Sequence, residues 1–188
     1  PTPSAARGIV ESLYYHPGIR WHIRRIYVLN PIEFATIRRN EVKSKILGST
    51  AMRIAQSKED EPYLVTTKQI VQRASMVLTN VHYVIEAEFE MLPEKAAPGD
   101  NPGKFQDIVT RRMRKGQCFS TPYFGCREFP AHFKQWEGGP IPTIDETRDL
   151  GFMLYDFDYS DPQNITPLYF RAKMEHGVIQ VAGCEVFR

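Results

Sequence analysis

PTPSAARGIVESLYYHPGIRWHIRRIYVLN, residues 1–30, sets a short helix directly before a strand. Thr2 can cap a helix whose first position is Pro3, where a missing N–H costs nothing. Ala6, Ile9, Val10, Leu13 and Tyr14 then recur at helical spacing along one face. Gly8 weakens this helix and leaves room for a close backbone approach. His16-Pro17-Gly18 ends it. From residue 19 the period changes to that of a strand, with Ile19, Trp21, Ile23, Tyr27 and Leu29 as its apolar positions. The alternation slips at Arg24-Arg25, as a bulge would make it. No strand and no methionine precede the helix, so a sheet-containing domain is expected to lack its first strand in this chain.

Downstream, FATIRRNEV is a second extended piece, and residues 48–62 read as a polar, flexible loop. Residues 63–79 and 81–92 are strand-like. In VHYVIEAEFEM, Tyr83, Ile85, Ala87, Phe89 and Met91 alternate with other residues, which leaves Glu86, Glu88 and Glu90 as one acidic face. Such a face repels phosphate unless it meets a basic partner or points away. PEKAAPGDNPG is a linker. Asn101 then caps a helix over 102–115 that starts on Pro102. FSTPYFGCREFPAHF is aromatic and rich in turns, and GGPIP marks a boundary near residue 140. LGFMLYDFDY and PLYFRAKMEHGVIQVAGCEVF are strands, the latter folding as a hairpin about Glu175 to Gly177. Helix, several strands, helix and further strands, without a regular βαβ repeat, predict an α+β fold on an antiparallel sheet.

The 188 residues suit one domain, or a domain with a small companion, and 42% apolar content is enough for a core. Fourteen prolines and nine tyrosines favour strands and turns over a helical bundle. Cys118, Cys126 and Cys184 are an odd, irregularly spaced set, which argues against a disulfide framework or a zinc knuckle and for reduced thiols in a cytoplasmic protein. No apolar run approaches membrane-spanning length, and no signal segment is evident.

A formal charge of +2 is only mildly basic, so the placement of charge matters more than its sum. NPGKFQDIVTRRMRKGQCF carries five Lys and Arg against one acid. Its helix puts Phe105, Ile108, Val109 and Met113 on one side, with Arg112 at the edge, and Lys104, Asp107, Arg111, Arg114 and Lys115 on the opposite arc. An ordinary solvated surface helix fits this pattern equally well. With Arg20, Arg24, Arg25, Arg38, Arg39, Lys43 and Lys45, this segment nevertheless holds half of the 24 Lys and Arg. That clustering suits a phosphate backbone, where each neutralised phosphate releases counterions and arginine forks match phosphate oxygens. Trp21, Tyr27, Tyr123 and Phe124 could stack on unpaired bases, though sheet and core roles fit them as well. Motifs for nucleotide, zinc-protease or serine-hydrolase chemistry are absent. Asp156 and Asp158 share a strand face, and Asp145-Glu146 adds acidity, a thin basis for a metal site.

TPSAARGIVESLYYHPGIRWHIRRIYVLNPI, the following IRRNEV, the NPGK helix with RRMRKGQCF, and PYFGCREFPAHF together resemble the type I-C (Dvulg subtype) CRISPR-associated proteins of the RAMP superfamily. The resemblance covers nearly the whole chain, and the ordered set is specific where each piece alone is weak. It implies a ferredoxin-like, RRM-type domain with extra β-hairpins over residues 1–139, lacking its first strand, and a small antiparallel β domain over 140–188. It also implies a protein that binds CRISPR repeat RNA and cuts the precursor at the base of its hairpin. Such a protein stays on the 5′ handle of the crRNA, beside the backbone and large subunits of the type I-C interference complex (Cascade), with no membrane and no cofactor.

The chemistry implied is metal-independent. The 2′-hydroxyl attacks the neighbouring phosphate in line, which calls for a group on the 2′ proton, one at the leaving oxygen and a cation for the phosphorane. The family's tyrosine and lysine correspond to Tyr14 and Lys104, while its histidine position holds Phe105. RNA-binding candidates are Arg20, Arg24, Arg38, Arg39, Lys43, Arg111, Arg112 and Lys115. Three outcomes stay open: cleavage resting on Tyr14 and Lys104, a histidine such as His16 or His22 acting through space, or binding with slow or no cleavage. In the first, Lys104 is the cation that would bring the tyrosine's ordinary pKa of about 10 towards neutrality. The alternative functions are a non-catalytic scaffold on the crRNA handle and a metal-dependent DNase acting on duplex nucleic acid.

Overall fold

The computed structural model describes residues 1–44, 47–56 and 65–188. In order these form α1 (Pro3–Leu13), β1 (Ile19–Val28), β2 (Glu33–Val42), α2 (Gly48–Gln56), β3 (Ile70–Thr79), β4 (Tyr83–Met91), α3 (Pro102–Arg114), β5 (Arg148–Asp158), β6 (Thr166–Glu175), β7 (Val178–Gln180) and β8 (Val186–Phe187). The fold is α+β, and every paired strand is antiparallel.

The first helix starts where the capping residues place it. The Thr2 hydroxyl accepts from the Ala5 amide at 3.1 Å, and Ala6, Ile9, Leu13 and Tyr14 are buried. Gly8 plays no close-approach role: a methyl group there would meet nothing within 4 Å. Strand β1 carries a register shift against β4 between Ile23 and Arg25. That bulge advances the alternation by one residue, so Ile26 and Val28 are buried after it, in place of Tyr27 and Leu29. The Tyr27 hydroxyl instead donates to Glu86 at 2.7 Å.

Two compact units emerge, Pro1–Pro31 with His82–Arg188, and Ile32–Val81. This division differs from the boundary expected near residue 140. The reason is β7: it pairs with both β1 and β6, so residues on either side of GGPIP share one sheet, ordered β4-β1-β7-β6-β5 with β8 on β6. The β6–β7 hairpin turns at His176-Gly177, both at positive φ, as a two-residue turn requires. A side chain at Gly177 would stand 2.6 Å from the Ile144 carbonyl oxygen, so only glycine fits.

In the second unit β2 and β3 form a ten-pair ladder from Glu33–Thr79 to Val42–Ile70. Residues 48–56, expected as loop, are the helix α2. Leu47, Ala51 and Ala55 recur every fourth residue there, a helical signal that the polar composition hides. The remainder of that expected loop, residues 57–62, lies outside the described residues.

In the larger unit the core nearest the site consists of Tyr14, Ile19, Trp21, Phe105 and Val109, with Ala87, Phe89 and Met91 of β4 packed on it. Among the described residues no helix is long and apolar enough to cross a membrane, and all three cysteines are free thiols.

Candidate RNA-cleavage site

Three short segments meet around Phe105, and sequence-local signals shape each. Tyr14 closes α1, where its amide donates to Val10 O at 3.2 Å and its carbonyl accepts from the Trp21 indole at 3.0 Å. His16 sits in the turn that follows. Its Nδ1 accepts from the Gly18 amide at 3.0 Å, a fit a larger residue at 18 would crowd. At the start of α3 the Asn101 side chain accepts from the Lys104 amide at 2.9 Å, which fixes the backbone of Lys104 in the helix's first turn. Phe105, fully buried, then contacts Tyr14 and His16 at ring-centroid separations of 6.2 and 4.7 Å. The Lys104 ammonium lies 6.0 Å from the same ring, so Tyr14, His16 and Lys104 gather about the phenylalanine.

The electrostatics assign these groups different protonation behaviour. Burial pushes the Tyr14 phenol above its ordinary value; Lys104 and Arg112 pull it down but do not prevail, and Asp100 adds to the rise. Tyr14 is therefore a neutral hydroxyl at physiological pH, and Lys104 does not make it a base. Lys104 is held above its ordinary value by its hydrogen bond to Asp100, so it remains an ammonium. A nitrogen that accepts an amide N–H carries no proton of its own, so Nε2 bears the hydrogen of neutral His16. That geometry makes His16 a donor. Lys104, Tyr14 and His16 thus offer a cation and two further donors, with no free proton acceptor among the three.

Sequence reasoning missed Asp100, the acid four residues ahead of Lys104. Its side chain is 1% exposed, yet it accepts from Lys104 Nζ and from the Ala97 amide, each at 2.8 Å. The i,i+4 spacing of Asp and Lys was the available signal.

The other expected residues divide between surfaces. Arg112 faces inward: it donates to the Leu13 carbonyl at 3.2 Å and its guanidinium lies 5.4 Å from the centre of the Tyr14 ring, so it supports the tyrosine and is not a free phosphate ligand. Arg111 and Lys115 are exposed, with no ion-pair partner among the described residues. Trp21 is core. Arg20, His22 and Arg24, which flank the buried Trp21 and Ile23, point to the opposite face of β1. There His22 meets Glu90 at 3.1 Å, Arg24 meets Glu88 at 3.1 Å and Arg25 meets Glu86 at 3.2 Å. His22, considered as a stand-in for the missing histidine, thus lies on the face of β1 away from Trp21, and the glutamates of β4 stand opposite His22, Arg24 and Arg25. In the smaller unit Arg38 and Lys43 are exposed, while Arg39 shares Glu41 with Arg73. Asp156 and Asp158, considered as metal ligands, accept from Arg7 and Arg188, each at 2.6 Å.

Comparison with known proteins shows the family of the chain. A family model described as CRISPR-associated protein (Cas_Cas5), in its Cas5d form, matches residues 1–182. The chain belongs to the Cas5d family. A Cas5d protein of Mannheimia succiniciproducens, named CRISPR pre-crRNA endoribonuclease, is 42% identical over 187 residues, covering 96% of this chain and 82% of that one. A Thermus thermophilus protein of the same name is 33% identical over 198 residues, covering 96% and 79%. Among solved structures, a functionally uncharacterised protein from Streptococcus mutans superposes with a TM-score of 0.66 at 22% identity, covering all of this chain and 85% of its own. A second, titled as a CRISPR-associated protein, gives 0.62 at 22% identity, covering 100% and 84%. These two structural likenesses speak for the fold.

Proposed function

We propose that this Cas5d-family protein is an endoribonuclease that cuts CRISPR repeat RNA at the base of its hairpin, without a metal, and keeps the 5′ handle. The observation that carries the reading is the gathering of Tyr14, His16 and the Lys104 ammonium around Phe105 in a chain whose curated relatives are named pre-crRNA endoribonucleases. In the reaction the 2′-oxygen bonds to phosphorus as the bond to the 5′-oxygen breaks, leaving a 2′,3′-cyclic phosphate and a 5′-hydroxyl. Solvent takes the 2′ proton and returns one to the leaving oxygen. Lys104 stabilises the charge of the phosphorane, and the Tyr14 hydroxyl and His16 Nε2–H orient the phosphate. Arg111 and Lys115 hold flanking phosphates. The protein then serves in the cytoplasm as a subunit of the type I-C complex, contacting its backbone and large subunits. The order α1-β1-β4-α3, with β1 and β4 antiparallel, supports a ferredoxin-like core carrying β2–β3 as an added hairpin.

The test is incubation with the cognate repeat RNA in EDTA, with the product ends identified. Lys104→Ala is expected to slow cleavage by about 10²–10³-fold and Tyr14→Phe by about tenfold. Cleavage at the wild-type rate by the double variant would overturn the residue assignment. A second reading, handle binding without cleavage, is favoured by Phe105 and by the lack of a proton acceptor. Under it the products are absent and Lys104→Ala weakens only binding.

A further inference from the structure

We propose that Asp100 is the positioning residue of this site, the group that aims Lys104 at the scissile phosphate. The inference rests on the endoribonuclease reading and deepens it. Asp100 is the only carboxylate that the described contacts bring to this cluster, and its geometry is that of a bracket. One oxygen, Oδ1, accepts from Lys104 Nζ at 2.8 Å. The other, Oδ2, accepts from the Ala97 amide at 2.8 Å and lies 3.8 Å from His16 Nε2. A second tie fixes the carboxylate's own backbone, whose amide donates to Ala97 O at 3.0 Å.

The exposures show what this bracket does. The Asp100 side chain is nearly enclosed, whereas the Lys104 side chain is 48% exposed. A lysine ammonium has three hydrogens. With one directed into the protein, the remaining two are presented to solvent from a fixed point, where an incoming phosphate can take them. Without Asp100 a four-carbon stem would have to be ordered at the moment of reaction, at a cost in side-chain entropy. The same carboxylate lies 3.8 Å from His16 Nε2, too far for a hydrogen bond, so the hydrogen on that nitrogen is left for the phosphate. The charged and titratable groups around Lys104 are Asp100 on the preceding loop, Tyr14 and His16 from the end of α1 and its turn, and Arg112 further along α3 beside the Tyr14 ring.

Asp100→Asn keeps the shape and an acceptor for Ala97 while removing the charge. Single-turnover cleavage of a labelled hairpin copied from the cognate repeat is compared in the two proteins, together with RNA affinity and a ¹⁵N or ¹³C NMR titration of the Lys104 side chain. The expected result is a cleavage rate about 10–100-fold lower, with RNA affinity within about threefold, which also certifies the fold, and a Lys104 titration moved to lower pH. The titration is the readout that a merely structural aspartate would leave in place. Cleavage by Asp100→Asn at the wild-type rate, or an unmoved Lys104 titration, overturns this inference alone. Wild-type protein that leaves the repeat intact overturns the endoribonuclease reading first, and the positioning role with it. If Asp100→Asn loses RNA affinity through misfolding, the Lys104 titration in Asp100→Glu decides: a Lys104 value kept as high as in wild type supports the bracket, and a fall overturns it.

Discussion

Phe105 decides the chemistry at the scale of a single residue. It occupies the place next to Lys104 where the resemblance implies a histidine, and its ring has no exposed surface. Restoring the histidine is therefore not a repair. Phe105→His would bury two ring nitrogens among Tyr14, Trp21 and Phe89, and is expected to lower stability by about 1–3 kcal/mol in urea denaturation without raising the cleavage rate. The pH profile follows from the groups that remain. The Tyr14 phenol is raised and the His16 Nδ1 lone pair is taken by the Gly18 amide, so neither offers a free acceptor to the 2′ proton. Cleavage should climb steadily between pH 6 and 9, about tenfold per unit, as expected when solvent hydroxide takes the 2′ proton. A plateau near neutrality in single-turnover rates would instead point to an imidazole base.

Asp100 adds a second pH dependence, on stability. Its carboxyl lies below its ordinary 3.8, chiefly through the bond from Lys104 and then that from Ala97. A depressed folded-state value gives stabilisation that is present above the ordinary value and lost as pH falls through the lowered one. Lys104 is raised above 10.5, so its share holds below that value and is lost as pH climbs through the raised one. The difference in Tm between wild type and Asp100→Asn should therefore be flat from about pH 5 to 9 and shrink below about pH 4.

At the scale of the element, the helix starts were legible in the sequence because their signals are local. Thr2 with Pro3, and Asn101 with Pro102, both cap as read, and the slip at Arg24-Arg25 marks a real bulge. The roles of Asp100, His22 and Arg24 were not legible, since each depends on a partner that only pairing or folding supplies. His22 and Arg24 become cross-strand partners of Glu90 and Glu88 because β1 and β4 settle in one register, which alternation alone leaves open. The compact units divide elsewhere than residue 140 for the same reason: a turn sequence marks a reversal of the chain but not which strand the chain rejoins. Lys104 and Tyr14 were singled out through the resemblance, and packing sets them with His16 around Phe105.

For the molecule as a whole, the basic residues form separate populations. Arg24 and Arg25 are matched by glutamates across the sheet, whereas Arg111 and Lys115 have no acidic partner among the described residues. Net charge of +2 conceals this asymmetry. Each phosphate contact on single-stranded RNA contributes about 0.7 to the slope of log affinity against log salt. The pair Arg111→Ala and Lys115→Ala should reduce that slope by about 1.4, while Arg24→Ala leaves it nearly unchanged. Fluorescence anisotropy at a series of salt concentrations reads both. A fall in slope for Arg24→Ala would move the RNA path to the opposite side of β1.

The bulge in β1 also sets how much length variation the strand can absorb. Ile19, Trp21 and Ile23 face the core in one phase, and Ile26 and Val28 in the other, with the extra residue between them absorbing the change. Excising Arg24 would straighten the ladder and still leave Ile26 and Val28 facing the core, because Arg25 would then follow Ile23 on the outer face. A one-codon deletion between Ile26 and Val28 has no such outlet and turns the rest of the strand over. Length changes in relatives should therefore fall at the bulge or outside residues 19–28.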